Sequence, residues 1–118
     1  QMCIRDSLYI DRAQIEQVLI NLIKNAKESC GQNTAPQIEV ELEQVPGKVC
    51  SLTVRDNGEG ILPEVIDKVF VPFFTTKPSG SGIGLSLCKQ IMNLHGGTIT
   101  VSSEIGKGSC FTLMFPGR

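Results

Sequence analysis

The sequence has no tryptophan, one tyrosine and one histidine, His95. A single histidine excludes a multi-histidine metal site within the chain. Neither charge dominates: 11 Lys+Arg stand against 12 Asp+Glu, a formal net charge of -1. That excludes a basic nucleic-acid-binding field and an acidic solubilising tail. No apolar run reaches the roughly 18 residues that a membrane span needs, so no membrane contact is expected of this segment. The five cysteines (Cys3, Cys30, Cys50, Cys88 and Cys110) fall at no C-x-x-C spacing, which excludes a zinc knuckle and a thioredoxin motif. Cys50, Cys88 and Cys110 lie among apolar residues and are expected to be small core hydrophobes in a reducing cytosol.

What is present is a globular composition, 41% hydrophobic and 19% charged, in 118 residues. That length fits one domain with its own core. The 12 glycines are clustered rather than scattered. Gln1–Ser7 has no signal-peptide order. It resembles a translated sequencing-adapter peptide, so residues 1–7 are expected to be foreign to a domain spanning 8–118, and the natural N-terminal part to be missing.

Asp11 is placed to cap a helix, with Gln14 three residues on as in a capping box. Ile15, Val18, Leu19, Leu22, Ile23 and Ala26 recur at helical spacing, which predicts a helix over 12–29 ended by Gly31. Residues 37–45 alternate apolar and acidic and predict a half-buried strand. Pro46-Gly47 reads as a turn into a hairpin partner over 49–54. Pro63 opens a short helix to about Val69, 70–82 is irregular, and a second long helix runs over 83–94 to the stop at Gly96-Gly97. Strands over 98–103 and 109–115 flank Gly106-Lys107-Gly108. Two-strand units separated by helices predict an α+β, two-layer α/β sandwich, with a mixed, mostly antiparallel sheet and helices on one face.

Three local patterns carry chemistry. On the first helix Gln17, Asn21 and Asn25 are four apart and share a face beside the apolar stripe. Amides there either satisfy themselves locally or offer oxygens to Mg²⁺, a hard cation that shares its shell with phosphates. Asp56-Asn-Gly58-Glu-Gly60 ends a strand; it reads as an ordinary turn, or as a carboxylate beside space left by two glycines, suited to an exocyclic amine. Gly80-Ser-Gly82-Ile83-Gly84-Leu85 leads into a helix, where free N–H groups and the positive dipole end suit an anion. Thr75, Thr76 and Lys77 precede it. Neither a Walker A loop nor a Rossmann fingerprint is present. Phe70, Phe73 and Phe74 flank the irregular loop, as core residues or as anchors of a lid.

Taken in order, these patterns resemble the catalytic domain of sensor histidine kinases. Asn21-Leu-Ile-Lys-Asn25-Ala26 resembles the N box, Asp56–Gly60 the G1 box, Phe70-Val-Pro-Phe-Phe-Thr-Thr-Lys77 the F box, and Gly80–Leu85 the G2 box. The tail from His95-Gly-Gly through Glu104-x-Gly-x-Gly108 to Pro116 is similar too, so the resemblance covers about Leu8 to Pro116. It implies the Bergerat fold shared with gyrase, the mismatch-repair ATPase and the heat-shock chaperone ATPase. It implies ATP and Mg²⁺ as ligands. Asn25 would ligate Mg²⁺, with Asn21 supporting the metal or phosphate. Asp56 would bond the adenine amine, with Gly58, Gly60, Ile61 and Phe70 around the nucleotide. Thr75, Thr76, Lys77, Gly80, Gly82, Ile83, Gly84 and Leu85 would form the phosphate cradle and a short lid.

The resemblance further implies phosphoryl transfer to a histidine on a separate dimerisation domain, then to a response regulator receiver. It implies a cytoplasmic domain, whether or not the parent kinase is membrane-anchored. Where many such kinases carry Lys or Arg three residues after Asn25, this chain has Glu28, with Lys27 one residue short. Hydrolysing relatives place glutamate at the Asn21 position; an amide cannot accept the proton of an attacking water, so slow hydrolysis is expected. His95, at a helix end before two glycines, is expected to cap or pack rather than accept phosphate. An anti-sigma-type serine kinase and a non-catalytic partner-binding module on the same fold are the competing readings.

Overall fold

The computed structural model describes residues 2–4, 8–31, 35–44, 50–72 and 84–116. Met2–Ile4 (β1) and Leu8–Ile10 (β2) form a separate antiparallel pair, Met2 opposite Ile10. The sequence pattern predicted no strand there.

Arg12–Ser29 (α1) follows, buried along Ile15, Val18, Leu22 and Ala26. Asp11 is its N-cap, and its Oδ1 accepts the Gln14 N–H at 3.1 Å. The reciprocal half of the expected capping box is made by a distant residue instead. The Asp11 N–H donates to Nε2 of His95 at 2.9 Å, while Nδ1 of His95 lies 2.8 Å from the Ile91 carbonyl. An N–H donor at one nitrogen and a carbonyl acceptor at the other define a neutral imidazole protonated on Nδ1. His95 is thus the packing residue the sequence predicted, at the end of Gly84–Leu94 (α3) and clamping the start of α1. His95→Ala leaves the Asp11 N–H without its acceptor. It is expected to cost about 1–2 kcal/mol, read as a lower urea midpoint at constant slope.

Beyond His95, Gly96 (φ +71°) donates to the Asn93 carbonyl and Gly97 to that of Met92, a Schellman ending. The short helix (α2) is Pro63–Ile66, three residues shorter than the predicted 63–69. The predicted turn at Pro46-Gly47, residues 73–82 of the irregular loop and Ile83, the expected first residue of the second long helix, lie outside the described residues.

Ile38–Gln44 (β3), Cys50–Asp56 (β4), Thr98–Glu104 (β5) and Gly108–Phe115 (β6) form one sheet in the order β3-β4-β6-β5. Every described pairing is antiparallel, so the expected mixed sheet is purely antiparallel among the described residues. The last strand lies inside the sheet, between β4 and β5. Helix α1 packs over β4, and α3 over β5 and α1. Val18, Leu22, Cys88, Met92, Phe111 and Leu113 form the fully enclosed centre of this layer. The opposite sheet face is polar: Arg55, Thr53 and Ser51 on β4 lie opposite Cys110, Thr112 and Met114 on β6. Cys50 and Cys88 are core residues as expected, but Cys110 is not. It is half-buried on the polar face beside Thr112, because strand alternation puts Phe111 and Leu113 inward instead.

The half-buried strand expected at β3 is found mostly exposed. Its apolar residues share a face with the core, Val40 opposite Val54 and Leu42 opposite Leu52. Yet Val40 is 51% exposed and Leu42 59% exposed. The strand is at the sheet edge, where α1 touches it only slightly: Ile38 packs against the core, but Val40 and Leu42 lie past that cover.

Candidate functional site

Asp56 ends β4 and is 5% exposed. Burying a carboxylate is costly unless hydrogen bonds compensate. Here the Gly58 N–H donates to Oδ1 at 2.9 Å and the Ser109 N–H to the same oxygen at 3.3 Å. Oδ2 takes neither, so one oxygen anchors the side chain while the other keeps its lone pairs for a donor. Among the described residues no buried side-chain polar atom lacks a partner.

The turn after Asp56 is wedged between two other elements. A Cβ on Gly58 would sit 2.5 Å from the Ser29 carbonyl at the end of α1. The Glu59 N–H donates to that same carbonyl at 3.3 Å, and the Gly106 N–H donates to the Glu59 carbonyl at 3.0 Å. Gly60 has φ +83° and closely abuts Glu104. The close neighbours of both glycines are thus protein atoms, backbone in each case with Oγ of Ser29 added at Gly58. Asn57 ties down the stretch before β3: its Oδ1 accepts the Gln37 N–H at 2.8 Å, and its Nδ2 donates to the Ala35 carbonyl at 2.9 Å. Ile61 is half-buried, and its N–H donates to Oγ of Ser103 at 2.7 Å.

Asn21 and Asn25 are both half-buried on one side of α1. Nε2 of Gln17 donates to Oδ1 of Asn21 at 3.1 Å, and Nδ2 of Asn21 reaches the Gly84 carbonyl at 3.4 Å. This chain fixes which end of the Asn21 amide faces which neighbour, and joins α1 to the first residue of α3. The α1 face therefore spans from Gly84, beside Asn21, to Gly58, beside Ser29. Eight residues of helix make that about 12 Å, with Asn25 midway. The positive end of the α3 dipole lies at one extremity and the Asp56 carboxylate at the other.

Asn21, Asn25, Gly84, Asp56, Gly58, Gly60 and Ile61 are thus connected through α1 and the turn it supports. Leu85 packs against the core, half-buried. Phe70 is half-buried against Phe111, ring centroids 6.3 Å apart in a T-shape, with Nζ of Lys89 5.6 Å from its centroid. Thr75, Thr76, Lys77, Gly80, Gly82 and Ile83, with Phe73 and Phe74, lie outside the described residues. Lys27 and Glu28 are exposed in the last turn of α1.

Sequence reasoning missed Ser103 and Ser109. The Oγ atoms of the two serines lie 3.1 Å apart, with Ser103 serving Ile61 and the Ser109 N–H serving Asp56. The available signal was strand alternation, which places both on the inward face where apolar residues are otherwise found.

Cys88 lies under the asparagine face, with Sγ 3.8 Å from the Val18 carbonyl. Burial pushes its thiol up from 9.0 to about 11, against a smaller lowering by the Asn21 side chain. The folded state holds this proton more tightly than the unfolded chain does. Its contribution to stability is therefore intact below pH 9.0 and declines as pH rises from there toward about 11. Alkylation of the native chain by iodoacetamide at pH 8.5 is expected to label half-buried Cys110 and spare Cys88. Peptide mapping checks this, and early labelling of Cys88 would contradict its burial.

With the fold and this geometry in place, residues 10–118 match the profile of the histidine kinase-, DNA gyrase B- and HSP90-like ATPase family, and the chain belongs to it. It is similar to the sensor histidine kinase ZraS of Escherichia coli K12, 41% identical over 106 residues, covering 90% of this chain and 22% of that protein. Sporulation kinase A of Bacillus subtilis 168 is 41% identical over 116 residues, covering 97% of this chain and 19% of that protein. Among solved structures, the mycobacterial sensor histidine kinase MprB superposes with a TM-score of 0.82 at 27% identity, covering 94% of this chain and 77% of that one. The chain spans about a fifth of the length of these curated relatives. The part of those relatives that it matches is their histidine kinase-type ATPase domain. Among the described residues no helix is long and apolar enough to cross a membrane.

Proposed function

We propose that this chain binds ATP with Mg²⁺ and delivers the γ-phosphoryl group to a histidine on the dimerisation domain of its parent kinase. A response regulator receiver domain then takes the phosphoryl group from that histidine, and the reaction runs on the cytoplasmic side. The observation that carries this reading is Asp56, a buried carboxylate anchored through one oxygen at the end of an amide-lined helix face. In this reading Oδ2 accepts from the adenine amine. The phosphate end lies toward Asn21 and Gly84, where the α3 dipole and the segment carrying Thr75, Thr76, Lys77, Gly80 and Gly82 receive it.

The donor set fits Mg²⁺. The amide oxygen of Asn25 is a hard ligand of the kind this ion uses singly while keeping waters and phosphate oxygens. Asn25 would hold the ion, with Asn21 supporting it, and the ion would neutralise charge on the phosphates. The Asn21 amide, oriented by Gln17, has no basic site for the proton of a water molecule. Transfer to an imidazole nitrogen breaks the bond from the γ-phosphorus to the bridging oxygen and releases ADP. It relies on positioning and charge stabilisation more than on a protein base.

The chain is expected to bind ATP in a Mg²⁺-dependent manner and to hydrolyse it with barely measurable turnover. Adding a separately purified dimerisation domain should produce acid-labile phosphohistidine on that domain and none on His95. Asn25→Ala should remove the Mg²⁺-dependent part of ATP affinity, about tenfold or more by calorimetry. Brisk hydrolysis that Asn25→Ala abolishes would sink the transfer reading.

A further inference from the structure

The helix layer leaves most of one strand of the sheet uncovered: α1 touches β3 and Ile38 packs against the core, but Val40 and Leu42 stay exposed. The inward row through the sheet runs Val40, Val54, Phe111 and Val101. Val40 is 51% exposed, against 2% for Val54 and 1% for Phe111. The next row, Leu42, Leu52, Leu113 and Ile99, repeats the gradient, from 59% at Leu42 to 0% at Leu113 and 8% at Ile99. At the other edge, β5 has its apolar residues under α3. Beyond Ile38, β3 has no such cover, and among the described residues only β4 pairs with it. Its outer edge presents backbone donors and acceptors in a row.

The opposite face of β3 carries Glu39, Glu41 and Glu43, all exposed. Arg55 stands across from Glu39, but Thr53 and Ser51 stand across from Glu41 and Glu43, so the row stays acidic. Charges are a common guard on free edges, and three glutamates oppose pairing with a second copy, since like charges would meet across the new ladder. They do not oppose a strand of the other sign. Nor do they account for Val40 and Leu42, good strand formers left mostly in solvent on the core-facing side.

We propose that the free edge of β3 docks an extended segment of a partner protein in which basic and apolar residues alternate. The partner's backbone extends the ladder, its basic side chains lie over Glu41 and Glu43, and its apolar side chains cover Val40 and Leu42. This is strand addition with charge selecting the partner and alternation setting the register. The surface is separate from the nucleotide residues and does not depend on the reaction they perform.

The test uses the 118-residue chain and two capped octapeptides, one alternating lysine and valine, the other glutamate and valine. Amide shifts of the labelled chain locate binding, and anisotropy of labelled peptide measures it. The lysine peptide is expected to shift the amides of Ile38–Gln44 and to weaken as salt is added, while the glutamate peptide does not bind. The Glu41→Lys/Glu43→Lys double variant should exchange that preference. Leu42→Thr keeps strand propensity and charge, and should weaken the lysine peptide about threefold to tenfold. ATP affinity should stay unchanged in all variants, which shows that they fold. Shifts scattered away from β3, a preference that charge reversal does not exchange, no effect of Leu42→Thr, or a dimer paired through β3 would each overturn the proposal.

Discussion

Asp56→Asn should leave the fold intact and remove most ATP binding. The carboxylate has two separable duties in the geometry described. Oδ1 accepts two backbone N–H groups, from Gly58 and Ser109, and an asparagine oxygen can accept both in the same place. The other position becomes an NH₂ group, which can only donate. In the proposed complex it would face the adenine amine, another donor. A lost charged acceptor and an unsatisfied pair of donors together cost about 2–3 kcal/mol, or roughly 30- to 150-fold in affinity. Thermal unfolding should change little. Asp56→Ala differs in kind: it strips the acceptor from two buried N–H groups, so both stability and binding should fall. Calorimetric titration with ATP·Mg²⁺ and urea unfolding on the same two variants separate the duties. Wild-type affinity in Asp56→Asn would remove this carboxylate from the nucleotide site.

The second large effect is predicted at Gly108. It opens β6 with φ +126°, and a Cβ there would collide with the Asp56 carbonyl oxygen, which is backbone and cannot step aside. Any relief must part β6 from β4 at Asp56, where the site is assembled. Gly108→Ala should therefore cost roughly 3–5 kcal/mol, a large share of the about 5–15 kcal/mol typical of a domain. Gly106→Ala is the matched control. That residue also has positive φ (+83°), but nothing lies within 4 Å of its Cβ position. It should lose only the about 1–2 kcal/mol of a left-handed side chain. Differential scanning calorimetry should place Gly108→Ala about 5–20 °C below the Gly106→Ala control. Equal losses would mean that the packing of Gly108 on Asp56 contributes nothing.

The sequence made the helices and the hairpins legible because their signals are local. The spacing of Ile15, Val18, Leu22 and Ala26 defines α1, and Asp11 its start. Alternation reveals each strand but not its neighbour across a crossover. That β6 sits beside β4 follows from core packing, which short-range patterns do not encode. The same limit explains β3: alternation of Val40 and Leu42 with glutamates says which side is apolar, but not that the helix layer stops short. In the site, Asn21, Asn25, Asp56 and the glycines were marked by residue type. Gln17 was noted only as sharing a face, Ser103 and Ser109 were not marked, and the His95 contact to Asp11 replaced an expected local bond. Gln17 bonds Asn21 one helical turn away, but the others act through partners distant in the chain or through backbone atoms that have no sequence signature.

The internal placement of β6 has a consequence for the chain during its own synthesis. Asp56 emerges from the ribosome 53 residues ahead of Ser109, whose N–H helps to fix it. Until β6 follows, β4 and β5 lack the strand that joins them, because neither pairs with the other. The nascent domain can form α1 and the β3–β4 hairpin early, since both are local, but not the contact of Ser109 with Asp56. The full anchoring of Asp56 therefore arrives late, when β6 inserts between β4 and β5. A polypeptide stalled before Gly108 would carry most of the recognisable residues without that anchoring.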